Sequence, residues 1–255
     1  MTKENIQITR YETIDDDLNS IIRLHKLISK DTNLNEHLIY FDTNFKFYFR
    51  NIITNKTTDE IYVIKIDDVL EGFIHFKLFE NTLFLNNICL NNSCQGKGIG
   101  SFFLKHSLML AYKESLINFE LDVFLSNNKA LKWYKKLGLK TIKKSIWMEI
   151  NDNHQKLNNE TSTGIYYLKD GNGFESIFFK TNKIATIINN KTILIHDLNF
   201  IDKIPNQSYI HVTNQDVNEL IKKNYKCSEL EISTRMKGSL KEVLHNLNQI
   251  NAKYS

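Results

Sequence analysis

The chain has 255 residues, 42% of them hydrophobic, a formal charge of +4 and a single proline. That length can bury one large core or two modest ones, and so small a charge gives no argument for nucleic acid, which is not expected as a partner. The three cysteines, Cys89, Cys94 and Cys227, are odd in number and lack metal-ligand spacing; they read as reduced thiols of a cytoplasmic protein.

No apolar run approaches membrane-spanning length, and the opening Met1-Thr2-Lys3-Glu4-Asn5 has no apolar signal core. No membrane partner is expected. Ile6 and Ile8 alternate with polar neighbours and predict a first strand. Residues 15–29 predict a helix whose early acidic residues suit the positive end of the helix dipole. Residues 34–53, rich in aromatics, predict one or two more helices. Residues 60–66 and 70–79 predict strands joined by a hairpin turn at Asp67-Asp68. A strand at 83–90, a helix at 101–115, a strand at 118–124, another helix, and one or two strands over 139–150 complete a mixed α/β sandwich. The polar stretch 151–163 reads as a linker between a domain of residues 1–150 and a smaller α+β domain of residues 164–255. That second domain is predicted to hold strands at 165–168, 174–179, 184–188, 192–195, 208–212 and 229–236. Its turns fall at Gly171-Asn172-Gly173 and Asn189-Asn190, and its helices at 216–224, capped by Asn214, and 240–250.

The segment Gln95-Gly96-Lys97-Gly98-Ile99-Gly100 joins a strand to a helix start. Glycines permit close approach and positive φ, and the unpaired N–H groups of a first helical turn face an anion with the helix dipole behind them. A phosphorylated ligand is expected here. A Walker-type loop is rejected, because Gly98 rather than Ser or Thr follows Gly96-Lys97. A dinucleotide fingerprint nearly fits, but Ser101 occupies its third glycine position. The pattern Gln/Arg-x-x-Gly-x-Gly/Ala is met in full by Gln95, Gly98 and Gly100.

That loop resembles the pyrophosphate loop of the GNAT (Gcn5-related N-acetyltransferase) superfamily. Downstream, Asn127, Ala130, Tyr134 and Gly138 fall at the family's spacing after its fifth strand, and Ile88-Cys89-Leu90 matches its fourth. The resemblance covers about residues 1–150. It implies a GNAT-type mixed sheet flanked by helices, with acetyl-CoA as cosubstrate and no metal. The tail of the second domain weakly resembles a degenerate GNAT-like unit without a glycine loop.

On that resemblance, main-chain N–H groups of residues 95–100 would hold the CoA pyrophosphate, with charge added by Lys97. Ile88, Cys89 and Leu90 would run beside the pantetheine arm, whose amides can pair with an exposed strand edge, where strands four and five splay apart. Cys89 reads as a small core residue rather than a nucleophile. Tyr134 would protonate the departing thiolate, the alternative being a helix aromatic packed on the sheet. Asn127 would bond the cofactor arm or cap the following helix, Asn128 being the next candidate for that cap. Asp122 stands where relatives carry a glutamate base, with His75, Glu80 and Glu120 as weaker candidates; Asn86 and Asn87 cannot take a proton. The lysines around Tyr134 read as a solvated face. Tyr40, Phe41, Phe45, Phe47 and Tyr48 read mostly as core. The acceptor is expected to be a primary amine on a small molecule or peptide. A non-catalytic acyl-CoA-binding module and a nucleotide-dependent enzyme stay open, and the second domain could cover the acceptor cleft or form a homodimer contact.

Overall fold

The computed structural model describes residues 5–13, 17–35, 37–55, 58–152, 164–189, 192–204, 208–213, 221–222 and 225–251. The expected linker from residue 153 onward lies outside them, as do Asn214 and most of the expected helix 216–224. In chain order the elements are β1 (Ile6–Arg10), α1 (Asp17–Ile28), α2 (Phe45–Thr54), β2 (Asp59–Ile66), β3 (Val69–Phe79), β4 (Thr82–Leu90), α3 (Ile99–Ala111), β5 (Asn118–Phe124) and α4 (Asn128–Lys136). There follow β6 (Lys140–Asp152), β7 (Ile165–Lys169), β8 (Glu175–Phe179), β9 (Asn182–Ile188), β10 (Thr192–Ile195), β11 (Ser208–Thr213), β12 (Tyr225–Ser239) and α5 (Leu240–Asn251). Among the described residues no helix is long and apolar enough to cross a membrane.

The chain divides into two compact units, residues 1–28, 49–143 and 234–255 in one, residues 29–48 and 144–233 in the other. Each unit therefore draws on separated parts of the sequence, and the end of β12 with α5 belongs to the first.

In the first unit the strand order is β1-β2-β3-β4-β5-β12. The pairs from β1 to β4 are antiparallel, and β4 and β5 are parallel. The β2–β3 hairpin turns at Asp67 and Asp68, with φ of 49° and 64°, the left-handed backbone of a tight hairpin turn. One sheet face packs Ile74, Phe76, Leu83, Leu85, Phe119 and Leu121 into a core shared with α3 and α5. On α1, Leu18, Ile21, Leu24 and His25 are buried at the three- and four-residue spacing of an amphipathic helix. His25 stacks on Phe73 with ring centroids 4.1 Å apart and meets Phe49 edge-on.

Two irregularities shape β4. Its register with β3 passes from Phe76↔Leu85 to His75↔Asn87, so Asn86 is an extra, bulged residue. Its register with β5 runs from Thr82↔Asn118 to Leu85↔Leu121 and ends there. The remainder of β4, Asn86 to Leu90, and the remainder of β5 do not pair with each other.

The second unit repeats this succession. Strands β7, β8, β9 and β10 pair antiparallel, β10 and β11 pair parallel, and β11 pairs antiparallel with β6. Its core includes Ile150, Ile177, Ile184, Ile193, Ile195 and Ile201. Phe45 is buried and Tyr48 lies edge-on to Phe174 at 5.7 Å, so these two aromatics are packing residues of this unit. Between its parallel strands lies a short 3-10 helix, Leu198–Lys203, capped by Asp197. Among the described residues, the glycine loop and 13-residue helix found between β4 and β5 have no counterpart there.

Candidate active site

The site is assembled where β4 leaves β5 and turns into α3. Asn91 N–H donates to the Glu71 carbonyl on β3 at 2.8 Å. Strand alternation then turns the N–H and C=O of Ile88 and Leu90 to the opposite edge, the edge that β5 no longer covers. The Leu90 carbonyl accepts from Gln95 Nε2 at 3.0 Å, leaving the Leu90 N–H facing the opening.

A 3-10 turn, Asn92–Cys94, precedes the loop. Glu71 organises it: one carboxylate oxygen accepts from Asn91 Nδ2 at 2.9 Å and from Ser93 Oγ and Cys94 Sγ at 3.4 Å each. Gln95 N–H donates to the Asn92 carbonyl at 3.2 Å. Gln95 is thus a brace on both sides, and its amide is not one of the free donors expected over 95–100. Gly96 and Gly98 have φ of 79° and 80°, backbone that an L side chain strains to adopt. Gly98 caps α3, its carbonyl accepting from Ser101 and Phe102. Among the described residues no carbonyl accepts the N–H groups of Gly96, Lys97, Gly98, Ile99 or Gly100. They form a run of donors at the positive end of a helix, the arrangement that receives a phosphate.

Asn127 is the N-cap of α4, its Oδ1 accepting from Ala130 N–H at 3.0 Å. The cap is therefore Asn127 and not Asn128. Lys129, Lys132, Lys135, Lys136 and Lys140 are exposed. Tyr134 is 5% exposed, and among the described residues nothing hydrogen-bonds its hydroxyl. Burial raises its pKa above that of an ordinary phenol, so it holds its proton throughout the neutral range. The neighbouring Trp133 donates from Nε1 to Ser101 Oγ at 3.0 Å, tying α4 to the first turn of α3.

Asp122 follows the last β4–β5 pair. Both its oxygens are held by Arg235, Nε to Oδ1 at 2.9 Å and Nη2 to Oδ2 at 2.7 Å, and the guanidinium lies 5.0 Å over the Phe84 ring. Glu120 pairs with Lys237 at 3.0 Å. Asp122, the residue expected as base, thus has its carboxylate against a guanidinium from the far end of the sequence. His75 is buried, with Nε2 2.6 Å from Asp59 Oδ1, and Glu80 is exposed. Glu71, Ser101, Trp133 and Arg235 escape a reading of the sequence because their partners lie 22, 32, 32 and 113 residues away.

Residues 22–139 match the family model described as Acetyltransferase (GNAT) family. No curated protein sequence matches the chain. Among solved structures, a tandem GNAT protein from the clavulanic acid biosynthesis pathway, without AcCoA, aligns with a TM-score of 0.64 at 10% identity, covering 92% of this chain and 99% of that one. A putative acetyltransferase from Pyrococcus horikoshii gives 0.61 at 13% identity, over 91% of this chain and 89% of the other. Spermidine N-acetyltransferase from Vibrio cholerae, in complex with CoA and spermine, gives 0.50 at 14% identity, over 93% and 98%. At these identities the likeness is one of fold. With the family match over the glycine loop, β5 and α4, residues 22–139 are a domain of the acetyltransferase (GNAT) family.

Proposed function

We propose that the chain transfers the acetyl group of acetyl-CoA to a primary amine by direct attack. The observation that carries this reading is the hydroxyl of the buried residue Tyr134, which no described residue hydrogen-bonds, on a helix tied to the turn that bears the free amide donors. The pyrophosphate would lie on the N–H groups of Gly96 to Gly100, with Lys97 adjacent. The pantetheine amides would pair with the open edge at Ile88 and Leu90, beside Cys89, and the Nδ2 group of the capping Asn127 remains a donor for the arm. The thioester carbonyl would accept from the Leu90 N–H, a fixed donor for the developing oxyanion. The neutral amine attacks the carbonyl carbon, the C–S bond breaks, and the sulfur takes the Tyr134 proton. The amine's surplus proton leaves to water, and Tyr134 is reprotonated from water. The Vibrio cholerae protein's complex with CoA and spermine supports a small-molecule amine as acceptor.

The test is CoA release from acetyl-CoA with a panel of amines, for the wild-type chain and Tyr134→Phe. General acid catalysis contributes about 10²- to 10⁴-fold. A fall of about that size in kcat, with acetyl-CoA affinity unchanged, is expected. Binding of acetyl-CoA without transfer to any amine would turn the reading to a non-catalytic acyl-CoA-binding module.

A further inference from the structure

The bulge in β4 carries a hydrogen-bonded chain that the proposed reaction has not used. Asp59 Oδ1 lies 2.6 Å from His75 Nε2. An ionised carboxylate only accepts, so Nε2 carries the proton. Asn86 Nδ2 lies 3.2 Å from His75 Nδ1, and an amide nitrogen only donates, so Nδ1 accepts and the ring is neutral. The second hydrogen of Asn86 Nδ2 goes to Asn87 Oδ1 at 2.7 Å. With both amide hydrogens engaged, the orientation of the Asn86 side chain is determined. Its Oδ1 is directed away from His75, and among the described residues no group donates to it. Asn86 is the bulged residue, next to the last β4 residue paired with β5, and so stands at the mouth of the opening beside Ile88 and Leu90.

We propose that Asn86 Oδ1 receives an N–H of the acceptor amine and turns its lone pair toward the thioester carbonyl, and that Asp59 and His75 are positioning residues which hold it in that orientation. This rests on the acetyl-transfer reading above. The chemistry suits an amine in its attacking form, which has N–H groups to donate and a lone pair that must point elsewhere. A carboxylate at this position would instead favour the ammonium form, which cannot attack. The pantetheine arm also carries N–H donors, and the measurement must separate the two sources.

The experiment compares wild type, Asn86→Ala, His75→Leu and His75→Gln, each checked for thermal unfolding, by steady-state kinetics with an accepted amine and by calorimetric binding of acetyl-CoA. Loss of one oriented contact to a reacting group is expected to lower kcat/KM for the amine about ten- to a hundred-fold in Asn86→Ala and His75→Leu, with the acetyl-CoA Kd within about twofold of wild type. Glutamine at position 75 can donate to Asp59 and accept from Asn86, so His75→Gln is expected to recover most of the activity that leucine loses. A merely structural role would not distinguish the two once their unfolding temperatures match. Wild-type kcat/KM in Asn86→Ala overturns the inference, as does a parallel loss of acetyl-CoA affinity, which would assign Oδ1 to the cofactor arm. Failure of glutamine to outperform leucine in two equally stable variants removes the positioning role. No turnover of any amine by wild type that binds acetyl-CoA removes the transfer reading itself, and this inference with it; turnover by wild type with Asn86→Ala unaffected removes the inference alone.

Discussion

The indole of Trp133 donates to the hydroxyl of Ser101 at 3.0 Å. This one bond joins the helix that carries Tyr134 to the first turn of the helix whose amides are free. It holds Tyr134 and the turn with the free amides together, and rigid placement is what the proposed acyl transfer between two bound partners would require.

Trp133→Phe keeps most of the packing and removes the donor. We expect kcat to fall about three- to tenfold, with a loss of stability of about 1 kcal/mol. Steady-state kinetics and urea unfolding check both. An unchanged kcat at the lowered stability would show that the bond fixes α4 without affecting the reaction.

Glu71→Gln retains one acceptor oxygen but loses the charge that gathers Asn91, Ser93 and Cys94. Hydrogen bonds to charged groups contribute about 1.5–3 kcal/mol. The turn that leads into Gln95 loosens, so the Kd for CoA is expected to rise about three- to tenfold with little effect on kcat at saturation. Calorimetry with CoA reads this directly, and an unaltered Kd would mean that the loop holds its shape without Glu71.

The last 22 residues belong to the first unit. Leu240, Val243 and Leu247 on α5 are fully buried in its core with Phe103, Leu104 and Leu108. Leu247→Ala is expected to destabilise the protein by about 2–5 kcal/mol, and a chain ending at residue 233 is expected to lose acetyl-CoA binding. Thermal unfolding and calorimetry test the pair. A truncated chain that binds acetyl-CoA normally would show that the C-terminal strand and helix are dispensable to the cofactor site.

Burial holds His25 to a pKa of about 3 and lowers that of His75. In the unfolded chain both return toward 6.5. Below 6.5 the unfolded state therefore binds more protons than the folded state, and stability falls as pH falls through that window. For His25 the loss between pH 6.5 and pH 5 is about 2 kcal/mol. Urea midpoints at pH 7.5 and 5 measure it, and His25→Phe, which keeps a ring against Phe73, is expected to shallow the slope. Equal midpoints at the two pH values would show that His25 is not buried as described.

The periodicity of apolar residues made most strands and helices legible along the chain. Leu83 to Leu90, Asn118 to Phe124 and Leu240 to Ile250 alternate or repeat with the periods that put one face in a core. Gly96 and Gly98 were legible as the turn because only a residue without Cβ takes their φ readily. These are local properties, set by steric and solvation effects within a few residues of one another. The membership of α5 in the first unit, the bulge at Asn86, the Asp122–Arg235 pair and the Asp59–His75–Asn86 chain were not legible. Each joins positions distant in sequence, and a residue's own pattern carries no record of which distant partner packing will bring to it. Tyr134 shows both levels: the resemblance to the family's spacing after Asn127 marked it from the sequence, but the burial that raises its pKa exists only in the folded chain.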